Sequence, residues 1–224
     1  MTTKSRDGNK GRRRRSAWWK GAAGWGVAAA AGMLLFLLVV WYTIGESSSP
    51  PEISLDKSKG DPDAPVTVVE YGDFQCPFFR LFATDAERRL DDEYVETGKV
   101  RFVFRNMAFI GQESQWAAEA AECANEQGRF WTYYDKLFEE QAGENVGAYS
   151  KENLKRFALE LELDSEEFNQ CLDSEKYAGK VREETEAARE EGVRGTPALL
   201  VDGQLVEGGA DYEVLRSYID AALQ

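Results

Sequence analysis

The sequence of 224 residues contains no histidine. Without imidazole, His-based triads, most transition-metal sites and any imidazole partner for a thiol are excluded. Positive charge is scarce beyond the first 20 residues. The chain has 27 basic and 40 acidic groups; residues 1–20 hold eight of the basic ones against Asp7 alone, so the remainder carries 19 basic and 39 acidic groups, net −20. That balance excludes a nucleic-acid partner, since phosphate binding requires the opposite sign; it reads as a strongly solvated surface.

Residues 21–44, "GAAGWGVAAAAGMLLFLLVVWYTI", lack charge altogether. As a helix rising about 1.5 Å per residue this run reaches roughly 36 Å, against a hydrocarbon core of about 30 Å. It is expected to be an uncleaved, single-pass membrane anchor. Trp18, Trp19 and Trp25 lie toward one end, and Trp41 and Tyr42 toward the other, where amphipathic rings prefer the interface. The basic cluster Arg12 to Arg15 then holds residues 1–20 in the cytoplasm as a basic tail. The competing reading is a cleavable signal peptide, but the apolar run exceeds the usual 7 to 15 residues and its only small-residue site, at Thr43 and Gly45, is poor. Either reading puts the rest of the chain outside the cytoplasm. There, three cysteines suggest one disulfide with one thiol left over.

Residues 45–65, rich in Ser, Pro, Gly and charge with no apolar periodicity, are expected to form a flexible tether. The domain is expected over residues 66–224. A β-branched apolar strand over 66–74 leads into an amphipathic helix with Phe78, Phe82, Ala86 and Leu90 on its inward face, ending at Gly98. A second strand follows over 100–107. Residues 114–191 read as helices throughout, with Ser150 and Ser165 as N-caps. Phe130, Trp131, Tyr133, Tyr134 and Phe138 stand at helical spacing and are expected in the core. Asp202-Gly203 then breaks two short strands, and a last helix covers 212–223. The expected class is an α/β fold with a helical insertion at about residues 112–192.

One stretch carries chemistry. Cys76 and Pro77 stand where the first strand turns into the first helix. A thiol there meets unpaired N–H groups and the positive end of the helix dipole, and Pro77 suits the first helical position.

The blocks "VVEYGDFQCPFF", "AAECANEQGRFWTYYDKLFEEQ" and "GVRGTPALLVDG" together resemble the DsbA-like branch of the thioredoxin superfamily, over about residues 60–223. The resemblance implies a thioredoxin-like α/β fold with an all-helical insertion and an active site at the N-terminus of the first helix. The family's pattern is Cys-Pro-X-Cys; Cys76 and Pro77 match it, and Phe79 stands where the resolving cysteine belongs. Glu70 matches the family's buried acid, expected here to be a proton acceptor beside Cys76. Thr196-Pro197 matches the cis-proline that faces the reactive sulfur and lends its backbone to an extended substrate. Cys123 and Cys171 fall where relatives carry an additional disulfide.

The function implied is thiol-disulfide exchange on extracytoplasmic cysteine-containing proteins, with Cys76 as nucleophile and no metal or cofactor. Lacking a second active-site sulfur, the chain would act as a monothiol isomerase, reductase or mixed-disulfide carrier, and would need an external thiol or membrane redox partner. The alternative is a redox-inactive polypeptide-binding or chaperone-type module.

Overall fold

The computed structural model describes residues 57–224. The expected cytoplasmic tail, the membrane anchor and residues 45–56 of the expected tether lie outside the described residues. Among the described residues no helix is long and apolar enough to cross a membrane.

Five strands, β1 (Ser58–Lys59), β2 (Val66–Gly72), β3 (Val100–Asn106), β4 (Ala198–Val201) and β5 (Gln204–Leu205), form one sheet in the order β1-β3-β2-β4-β5. The two long strands, β2 and β3, pair in parallel at its centre, while the other three pairings are antiparallel. Both central strands are largely buried on both faces because helices cover each side.

Between β2 and β3 run α1 (Pro77–Thr84) and α2 (Ala86–Leu90). Between β3 and β4 lie α3 (Gln112–Glu126), α4 (Phe130–Glu139), α5 (Lys151–Glu160), α6 (Ser165–Asp173) and α7 (Ala178–Glu190), and α8 (Tyr212–Ala222) ends the chain. The larger core joins α1 to α6 and α8 to one face of the sheet; a smaller one holds Val69, Tyr71, Val103, Met107 and Leu200 against Ala188 and Val193.

Four local expectations need correction. Lys57 to Pro65, assigned to the tether, belong to the folded domain: Ser58 and Lys59 pair with Val103 and Phe102, and Lys57 is fully buried. The single helix expected after Cys76 breaks at Asp85, whose φ of −131° leaves the helical region. It resumes as α2, widens into a π turn at Asp91–Val95, and ends at Gly98 (φ 71°), where Gly98 N–H donates to the Val95 carbonyl and Lys99 N–H to that of Tyr94. Phe78 does not face inward; the buried apolar positions are Phe79, Phe82, Ala83, Ala86 and Leu90. The α6 cap is Asp164 rather than Ser165, and its carboxylate accepts from the N–H groups of Glu166 and Glu167. A carboxylate satisfies two N–H groups and suits the positive helix end better than a hydroxyl.

Asp202 (φ 46°) and Gly203 (φ 82°) are both left-handed, as the tight turn joining β4 to β5 requires.

Cys123 on α3 and Cys171 on α6 are joined by a disulfide across a sequence separation of 48. Closing a loop of that length stabilises the folded state by about 4 kcal/mol in the chain-entropy model. Replacing both cysteines by alanine is expected to lower the unfolding free energy measured in urea by a comparable amount, and the midpoint with it, and to leave Cys76 alkylation unchanged. An unchanged midpoint would count against the bond as a stabiliser.

Candidate active site

Cys76 is the N-cap residue of α1, with extended backbone (φ −69°, ψ 120°) and its N–H bonded to the Asp73 carbonyl at 2.9 Å. Pro77 follows at the first helical position, where a missing N–H costs nothing. Three segments hold this turn. The buried Asp73 carboxylate accepts from Gln75 N–H (2.9 Å) and the Ser114 hydroxyl (2.6 Å) on Oδ1, and from Phe109 and Ile110 N–H (2.9 and 3.1 Å) on Oδ2. The Gln75 amide donates to Ser114 Oγ (2.8 Å) and accepts from Asn145 N–H (2.6 Å). Gln141 Nε2 donates to the Phe74 and Cys76 carbonyls at 2.7 and 3.2 Å. Sequence reasoning missed Asp73, Gln75, Ser114, Gln141 and Asn145. The one available signal was two polar residues, Asp73 and Gln75, set between an apolar strand and an apolar helix.

The Cys76 side chain is only 6% exposed, and its thiol donates to the Thr196 carbonyl at 3.1 Å. The Thr196-Pro197 peptide bond is cis. The fold thus brings together Cys76, Pro77, Thr196 and Pro197 from segments 120 residues apart. Beside the buried sulfur, Phe78 and Leu81 on α1 are 68% and 66% exposed.

Phe79 is fully buried. Its ring stacks on Phe104 (centroids 6.0 Å, planes 9° apart) and meets Phe138 and Tyr134 edge-on at 4.7 and 6.0 Å. It lies directly on Gly72, where a Cβ would fall 2.1 Å from Phe79 Cε1, so only glycine lets the ring approach the strand. Side chains alternate along β2, which puts Glu70 on the same face as Gly72 and therefore beside this ring.

Glu70 is also fully buried, with Oε2 3.3 Å from the Tyr134 hydroxyl and Oε1 without a hydrogen-bond partner. Burial pushes its carboxyl well above the ordinary carboxylate range; the charge of Glu87 adds to that, and Lys59 opposes it. The polar contact that Glu70 makes leads toward Tyr134 and Glu87, and the Phe79 ring packs beside it.

The arrangement supplies one nucleophile. Cys123 and Cys171 are consumed in their disulfide, so Cys76 is the free cysteine, and among the described residues no acidic or cysteine cluster could hold a metal ion.

A family model described as thioredoxin matches residues 55–221. The chain belongs to the thioredoxin family. Within it, the DsbA-like branch is shown by the relatives. The chain is 35% identical over 175 residues to a probable disulfide bond formation protein D of Bacillus anthracis, covering 76% of this chain and 80% of that protein. The structure of oxidised BdbD from Bacillus subtilis matches with a TM-score of 0.70 at 30% identity, over 76% of this chain and 95% of that one. Chlamydia trachomatis DsbA, 18% identical, shares the fold with a TM-score of 0.67 over 79% of this chain and 96% of its own. In this thioredoxin-family chain the free Cys76 stands at the N-cap of α1, against the cis Thr196-Pro197 bond, and the buried Phe79 ring follows three residues on.

Proposed function

We propose that the chain is a membrane-tethered, extracytoplasmic thiol-disulfide exchange protein with Cys76 as its single nucleophile, acting on disulfides of other proteins. The observation that carries this reading is the free Cys76 thiol at the N-cap of α1, facing Thr196-Pro197. The uncharged run at residues 21–44 supports the tether, and the relative named as a probable disulfide bond formation protein supports the chemistry.

The Cys76 thiolate attacks one sulfur of a substrate disulfide; a Cys76–substrate disulfide forms, and the other substrate sulfur leaves as a thiolate. With Phe79 in place of a resolving thiol, a thiolate from outside the chain, either another cysteine of the substrate or a small external thiol, must then attack the substrate sulfur and release Cys76 as thiolate. No electrons are gained or lost overall, so the cycle isomerises disulfides or transfers them to the external thiol. Glu70 is the buried acid of this site and holds a proton there.

Incubating the full chain with a scrambled disulfide protein and excess small thiol tests this. Mixed-disulfide adducts with one substrate per chain, and reshuffling that disappears in Cys76→Ala, are the expected results. Reshuffling that persists unchanged in Cys76→Ala would sink the reading. A second reading, polypeptide binding without redox turnover, draws on the exposure of Phe78 and Leu81 beside a buried sulfur. It is favoured if no adduct forms while an unfolded, cysteine-free polypeptide binds wild type and Cys76→Ala equally.

A further inference from the structure

The Tyr134 ring is core, but its hydroxyl lies between two buried carboxyl groups. It donates to Glu87 Oε2 at 2.6 Å, and Glu70 Oε2 lies 3.3 Å away. Beyond Glu87 the connection continues: Lys59 Nζ donates to Glu87 Oε1 at 2.8 Å and also binds Asp91. Lys59, Glu87, Arg88, Asp91, Trp131 and Asp135 line a pocket of about 380 Å³ on the flank of the domain. Solvent reaches it, as the partial exposure of the Lys59 and Asp91 side chains shows. In the other direction the rings of Phe79, Phe104 and Phe74 surround the Tyr134 side chain. The hydrogen-bonded route from Glu70 thus runs to the flank through α4 and α2.

We propose that Tyr134 and Glu87 are a proton relay that joins Glu70 to the flank pocket at Lys59, so that Glu70 loses and regains its proton without passing Cys76. Glu70 passes its proton to the Tyr134 oxygen while Tyr134 passes its own to Glu87 Oε2, and Glu87 releases it to water in the pocket. Glu70 is left as a carboxylate, and the reverse sequence reprotonates it. Lys59 stays an ammonium throughout and stabilises the Glu87 carboxylate between transfers. The phenol bridges two acids that stand on different elements, β2 and α2. The relay rests on the reading of Glu70 as the acid of the thiol site. Its use there would be to keep Glu70 in exchange with solvent while a bound polypeptide covers Cys76.

Infrared spectroscopy of the full chain in detergent, diluted rapidly into D2O, reads the exchange directly. The carbonyl stretch of a buried carboxylic acid shifts when its proton becomes a deuteron, and loss of that band in Glu70→Gln assigns it. In wild type the shift is expected within the mixing time. In Tyr134→Phe and in Glu87→Gln it is expected to slow on the order of a hundredfold. If Tyr134→Phe does not fold, Glu87→Gln decides alone. No band lost in Glu70→Gln, or exchange as fast as wild type in the folded variants, overturns the relay. The same measurement in a Cys76→Ala background separates the relay from the thiol chemistry: slowing there supports the relay whatever becomes of the exchange activity.

Discussion

Phe79→Cys is expected to convert a one-thiol site into a two-thiol site and to bring catalytic oxidation of reduced substrate proteins where the wild type has none. The second sulfur would stand in the first turn of α1, one turn from the Cys76 N-cap, on the inner side where the Phe79 ring now lies. The substitution carries a structural cost. The Phe79 ring is fully buried among Phe74, Phe104, Tyr134 and Phe138, and deleting most of a buried ring costs about 3–5 kcal/mol. A disulfide closed over so few residues recovers only about 2 kcal/mol. The variant is therefore expected to be less stable than wild type in both redox states, and least stable when reduced. Thiol counting under oxidising conditions should fall from one free thiol to none, and turnover on a reduced, unfolded substrate should appear when oxidised glutathione is supplied to re-form the active-site disulfide after each cycle. If Phe79→Cys folds, counts two free thiols after air or glutathione oxidation and stays inactive, then more than a sulfur separates this site from a dithiol oxidase.

Features that depend on neighbours in sequence were legible before the structure. The β-branched run at β2, the proline after Cys76, the Ser150 cap and the Asp202-Gly203 turn each announce themselves within a few residues. What was not legible depends on residues brought together from far apart. The "SLDKSKG" stretch looks like a tether because its lysines are polar, and nothing local says that Lys57 meets Glu122 and Glu184, 65 and 127 residues on. Tyr134 was legible as core from helical spacing, but its hydroxyl chemistry depends on Glu70 from β2 and Glu87 from α2. The same holds for the Asp73 hub, whose partners come from the loop after β3 and from α3. The Phe78 error has a different cause: helical periodicity alone did not separate two adjacent phenylalanines, and it is Phe79 that is buried with Phe82 and Ala83.

Lys57→Met is expected to destabilise the domain by about 3–5 kcal/mol, the usual effect of orphaning a buried charge partner. Lys57 is fully buried, and its ammonium donates to Glu122 Oε1 (2.6 Å) and to both oxygens of Glu184 (3.0 and 2.8 Å). Lys180 supplies the second cation, bound to Glu122 Oε2 at 2.7 Å, so two carboxylates face two ammoniums. Asn106 completes the cluster, its side-chain amide donating to both carboxylates and its backbone N–H to Glu184. Methionine keeps most of the volume but none of the charge, leaving two buried carboxylates with one ammonium. The pH dependence distinguishes charge from packing. Burial raises the Glu122 carboxyl, but Lys57 and Lys180 outweigh it and hold the group below its ordinary value. A carboxyl lowered in the folded state contributes stability that is present above the unfolded value and is lost as pH falls through the folded one. Removing Lys57 weakens that contribution, so wild type should exceed Lys57→Met most near neutral pH, and the gap should narrow as protonation neutralises the orphaned carboxylate. Urea unfolding of both proteins near pH 7 and near pH 4 measures it. A gap of the same size at both would assign the loss to packing, whereas partial rescue near neutral pH by Glu184→Gln in the Lys57→Met background would assign it to charge. If charge it is, Lys57 and β1 are held to the domain by the buried ammonium of Lys57 on Glu122 and Glu184, together with that of Lys59 on Glu87 and Asp91.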